Sequence, residues 1–207
     1  MTNLREIVEE NDIVLIDTCF FSNIARYSFG NARLDVNRRY IKFINQVVQD
    51  IKGGAPIYVT SGVENEIRDF KHFKTKKKHN LVCQLTKTGD LKRKKLAKTL
   101  RKHGHVISMS PQNEHYKIFQ EDSLDLKSRD ELSEVDYDLL LTTIAISQEG
   151  YNSALLTGDK GIISSWNGIL HRFPGLHDNN PAVYQSCARS INKSKRIFHI
   201  KDHPELI

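Results

Sequence analysis

The chain has 207 residues, 39% hydrophobic and 27% charged, with a formal net charge of +6 at pH 7. That length fits one α/β domain (residues 1–207) with an elaboration better than two full domains. A mean hydropathy of −0.48, with no apolar run near the roughly 20 residues a bilayer requires, argues against any membrane span. Cys19, Cys83 and Cys187 are few, odd in number and widely spaced, so neither a disulfide framework nor zinc is expected. With no apolar leader in MTNLREIVEENDIVLID, they point to a reducing cytoplasm.

In chain order, residues 2–10 read as a short amphipathic helix, and Ile13-Val-Leu-Ile16 as a parallel strand buried on both faces. The run ends at Asp17-Thr18. Helices are expected over Phe20 to about Phe29 and Val36 to about Ile51, the second closed by Gly53-Gly54. Ile57-Tyr-Val-Thr60 is a second strand, and Ser61-Gly-Val-Glu64 opens a helix in a capping-box pattern. In that pattern Glu64 is used up by the cap, which leaves Glu66 to face the same rim as Asp17.

Between Lys71 and Lys102 there are thirteen Lys or Arg and one acid, Asp90. That segment carries +12, so the rest of the chain sums to about −6. Leu81 and Leu85, then Leu96 and Leu100, give narrow apolar seams to two helices joined at Thr88-Gly89-Asp90. The expectation is a basic helical hairpin over about 74–103, inserted into the α/β frame. A nearly single-sign surface suits phosphate contact more than simple solvation. The candidate RNA-binding residues are Lys74, Lys76, Lys77, Lys78, Lys92, Arg93, Lys94, Lys95, Lys98, Arg101 and Lys102.

His105-Val-Ile-Ser108 reads as a third strand, and Asn113 to about Leu126 as a helix. Ser133 is an N-cap for a helix carrying Val135, Leu139, Leu140, Thr143 and Ile144, stopped at Glu149-Gly150. Ser153-Ala-Leu-Leu-Thr157 is a strand that hands over at Gly158-Asp159 to a helix with Ile162, Ile163 and Trp166. Ile169 to Arg172 is expected as a last short strand. The tail over about 175–207 gives no clear pattern.

Asp17, Glu66, Asp136 and Asp159 then stand at equivalent places in successive β-α units, and parallel strands would gather them at one sheet edge. Two carboxylates about 4 Å apart repel by roughly 4 kcal/mol at an effective dielectric near 20. Four together must take up protons or bind a cation, and oxygen-only ligation suits Mg²⁺ or Mn²⁺. Each acid also has a structural use open to it. Asp136 can complete the Ser133 capping box, and Asp159 can be an N-cap.

The pieces IVLIDTCFF (13–21), YVTSGVENEI (58–67), DYDLLLTTIA (136–145) and ALLTGDKGI (154–162) resemble the PIN-domain ribonucleases in kind and order, across about 150 residues. That resemblance implies a Rossmann-like parallel sheet flanked by helices, an acidic centre binding Mg²⁺ or Mn²⁺, and endonucleolytic hydrolysis of RNA. It assigns Asp17, Glu66, Asp136 and Asp159 as the core acids. Asp138 would be a further ligand or a replacement for Asp136, and Thr18 and Thr157 would be hydroxyls supporting them. DYDLLL followed by GDKGIISSW also looks like the small protein-only ribonuclease P enzymes, so structured RNA, with tRNA or its precursor first, is the expected substrate.

Three other readings compete. A haloacid-dehalogenase-like phosphatase needs a second Asp two residues after Asp17, where this chain has Cys19. A PIN-like scaffold that binds RNA without cutting it should lack some of the acids, and all four are present. A toxin ribonuclease of a toxin–antitoxin pair is usually shorter and lacks the basic segment. A homo-oligomer stays open.

Overall fold

The computed structural model describes residues 4–18, 34–69, 80–108, 117, 120, 125, 127, 131–172, 182–185 and 197–199. Helix α1 (Leu4–Glu10) leads into β1 (Ile13–Ile16), then α2 (Leu34–Lys52), β2 (Ile57–Thr60), α3 (Ser61–Asp69) and α4 (Asn80–Lys102). The second half runs β3 (Val106–Ile107), α5 (Glu134–Gln148), β4 (Ser153–Thr157), α6 (Lys160–Arg172), β5 (Ala182–Gln185) and β6 (Ile197–His199).

The strands form one sheet in the order β3-β2-β1-β4-β5-β6, with every pairing parallel. Strand β1 is central, Val14 pairing with Ile57 on one side and Ala154 on the other. Neighbours on both edges and helices on both faces explain why IVLI is an unbroken apolar run rather than an alternating one. All five residues of β4 are buried for the same reason. From β1 the chain steps outward to β2 and β3, then crosses back to β4. At such a reversal the connections diverge and leave a crevice at the carboxyl ends of the two adjacent strands, here β1 and β4.

Right-handed crossovers that step away from β1 in opposite directions place their helices on opposite faces. Accordingly α2 packs against α4, and α5 packs against α6. Trp166 is fully buried, with Ile162, Ile163 and Ile169 along the same stripe. The spacing i, i+1, i+4, i+7 corrects the reading of Ile169 to Arg172 as a strand, because Ile169 continues the buried face of α6. The tail, unplaced by pattern, supplies β5 and β6.

The basic segment is also corrected. Residues 80–102 form one helix with Thr88, Gly89 and Asp90 inside it, not two helices joined there. A mid-helix glycine costs about 1 kcal/mol relative to alanine. Burial of Leu96, Ala97 and Leu100 outweighs that cost. From Asn80 onward the segment belongs to the crossover between β2 and β3 and is not an appendage to the frame. Lys74, Lys76, Lys77 and Lys78 lie outside the described residues, as do the helix expected from Phe20 and most of the one expected from Asn113. No helix among the described residues is long and apolar enough to cross a membrane.

Candidate active site

Asp17 follows the last residue of β1, and its backbone N–H continues the ladder to Leu156 O at 2.9 Å. Its residue is 1% exposed, so its carboxylate needs partners within the protein. One is Thr157, the last residue of β4, whose Oγ1 donates to Asp17 Oδ2 at 2.6 Å. The same Thr157 oxygen accepts from the Asp159 backbone N–H at 3.0 Å. A single buried hydroxyl thus joins the carboxyl ends of β1 and β4 and fixes the start of the turn that bears Asp159.

Asp159 caps α6, its Oδ1 accepting from Gly161 N at 2.6 Å and Ile162 N at 3.3 Å. Asp136 is the third residue of α5. Its backbone N–H donates to Ser133 Oγ at 3.1 Å, and that hydroxyl donates in turn to Asp136 Oδ2 at 2.7 Å. Burial holds the Asp136 carboxyl above the usual carboxylate range, and the charge of Asp159 pushes it the same way, against the lowering effect of Ser133. Asp136 and Asp159 therefore share one electrostatic environment. Asp138 is half-buried two residues further along α5.

The start of α5 is braced from outside the sheet. Tyr137 OH donates to Gln120 O at 2.9 Å, and Lys127 lies over the Tyr137 ring and pairs with Glu134. On its other side α3 approaches closely. A Cβ on Gly62 would stand 3.1 Å from Val135 Cγ2, so a larger residue there would require the side chain preceding Asp136 to give way by a few tenths of an ångström.

Glu66 lies one turn beyond Gly62 on α3, half-buried. No hydrogen bond or ion pair links it to Asp17, Asp136 or Asp159 among the described residues. The cap of α3 differs from expectation as well. Thr60 Oγ1 accepts from Val63 N–H at 3.4 Å, which frees Glu64 from the role the pattern gave it. Glu64 is instead a buried carboxylate, 2% exposed at its side chain, held by Arg101 of α4 at 2.5 Å. Sequence reading missed this pair. A Glu and an Arg 37 residues apart carry no local signal.

The pair also removes Arg101 from the set of free phosphate ligands, and Arg93, at 5% exposure, is buried rather than presented. Lys94, Lys95, Lys98 and Lys102 are exposed, and Lys92 is half-buried. Thr18 is half-buried beside Asp17, its Oγ1 without a hydrogen-bond partner among the described residues.

Among the described residues, no three acid, histidine or cysteine side chains stand close enough to cage a metal ion by themselves. Mg²⁺ does not require such a cage, because it keeps several waters and is commonly held through one or two carboxylates. Asp17, Asp159 and Asp136 offer oxygen alone. The donor chemistry fits Mg²⁺ or Mn²⁺. Comparisons with protein-family models, curated proteins and solved structures gave no match.

Proposed function

We propose that the chain is a cytoplasmic, Mg²⁺- or Mn²⁺-dependent endoribonuclease of the PIN type, acting on structured RNA, with tRNA or its precursor the first substrate to try. One observation carries this reading. Asp17 and Asp159 lie at the carboxyl ends of the two strands flanking the reversal of the sheet, joined through Thr157, with Asp136 in the field of Asp159. A divalent cation at this rim supplies charge neutralisation and water activation for phosphodiester hydrolysis.

The protein's own residues do the rest. Thr157 donates to Asp17 Oδ2 and holds that side chain at the end of β1, a hydrogen bond of about 0.5–1.5 kcal/mol. Asp159 is set by the α6 cap so that its position does not depend on a ligand. Asp136, its carboxyl raised by burial, binds a proton more tightly than an ordinary carboxylate, which suits it to accept one from water.

A scaffold that binds RNA without cutting it is favoured by a different fact. Asp159 and Asp136 already have structural bonds, as the cap of α6 and the partner of Ser133. Labelled structured RNA incubated with Mg²⁺ or Mn²⁺ separates the two. The nuclease reading expects cleavage that Asp17→Asn and Asp159→Asn each abolish while RNA binding persists. Tight binding without cleavage by wild type, across tRNA precursors and rRNA fragments, refutes it in favour of the scaffold.

A further inference from the structure

We infer that the outer face of α4 is a docking surface for the sugar-phosphate backbone of double-helical RNA, engaged through Lys94, Lys95, Lys98 and Lys102. The inference rests on the ribonuclease reading only for its choice of RNA among polyanions. Helix α4 has two sides. Arg93, Leu96, Ala97 and Leu100 are buried, whereas Leu91, Lys94, Lys95, Lys98 and Lys102 are exposed.

Lys94, Lys98 and Lys102 follow one another at i, i+4 and i+8, the spacing at which like charges disfavour a helix. None of the four lysines makes an ion pair among the described residues. An ordinary solvated helix face relieves this repulsion with interleaved acids, and here the only acid on the row is Asp90, one turn before Lys94, with none between or beyond the lysines. A polyanion relieves it instead.

Rigidity and composition decide which polyanion. The lysines ride on a helix whose opposite side is core and whose carboxyl end is tied to α3 by Arg101 and Glu64. Successive turns present their ammonium groups about 6 Å apart along the axis. Proteins that hold single strands stack unpaired bases on aromatic rings, and residues 80–102 contain no Phe, Tyr, Trp or His. A regular row of point charges with no stacking platform matches the way A-form duplexes are held, through shape and backbone rather than bases.

The test is the salt dependence of binding, measured with chelator present so that cleavage plays no part. The probes are an RNA hairpin stem and an unstructured single strand of the same length. Wild type is expected to bind the stem more tightly. Replacing all four lysines by glutamine should lower the slope of log K against log salt by about three, at roughly 0.7–0.9 per phosphate contact. Lys98→Gln alone, at the centre of the row, should remove one such step, and Arg93→Gln none.

An unchanged slope in the fourfold variant overturns the inference and leaves the face to an acidic protein partner. Equal affinity for stem and single strand overturns it too. Stem binding through the lysines without cleavage under any metal sustains the inference and defeats the nuclease reading. Metal-dependent cleavage with an unchanged slope does the reverse.

Discussion

Asp136 is the residue whose environment makes the sharpest statement about solution behaviour. Its carboxyl is raised from 3.8, first by burial and then by Asp159. A raised acid binds its proton more tightly in the folded chain, so folding is favoured below the unfolded value and loses that contribution as pH climbs through the folded one. Chemical denaturation from about pH 3 to about pH 7 should therefore show wild type losing stability relative to Asp136→Asn as pH rises past 3.8. A difference that stays flat or grows with pH would show that the carboxyl is not raised. At this scale the sequence was partly legible. Asp17 and Asp159 were readable because each follows an apolar run of strand length. Glu64 was not, because its neighbours in sequence offered a cap, and the partner that claims it comes from another helix.

Among the elements, α3 and α5 meet where Gly62 faces Val135, and this contact sets the entry of Asp136 into the rim. Gly62→Val places two methyls where a single Cβ is already at 3.1 Å, and overpacking of that kind costs about 1–3 kcal/mol. Val135→Ala opens the same space. Urea unfolding of both single variants and the double should give a coupling of at least about 0.5 kcal/mol in the rescuing direction. Simple additivity would mean that the helices are not in close contact there. Helix boundaries were well signalled where glycine followed the last turn, as at Gly53-Gly54 and Gly150. Gly89 misled because a C-cap signal and a buried mid-helix glycine look identical until the partner helix, here α2, is in place. Ile169 misled for the opposite reason, a strand-like pair of apolar residues closing a helical stripe that had begun at Ile162.

Over the whole molecule, charge is divided between a basic segment and an acidic remainder, with Asp17 and Asp159 standing where β1 and β4 end. A cation that binds only the folded rim must stabilise it, by about 2.7 kcal/mol at a hundred times its dissociation constant. Thermal melts should rise with Mg²⁺ or Mn²⁺ beyond what NaCl of equal ionic strength gives, and Asp17→Asn should cancel the excess. An equal response to both salts would reduce the effect to screening. The parallel sheet was legible from β1, β2 and β4, whose apolar runs need burial on both faces. Strands β5 and β6 were not, because short peripheral strands owe their form to the neighbour they pair with rather than to their own pattern.

The bond from Thr157 to Asp17 spans 140 residues of chain. Strand β1 must wait, as the chain is made, for β4 to arrive beside it, and helix α4 with its lysines is complete well before then. A nascent chain therefore completes its lysine-bearing helix early and its acidic rim late. Whatever chemistry the rim performs is withheld by topology until β4 has been synthesised, 140 residues after Asp17.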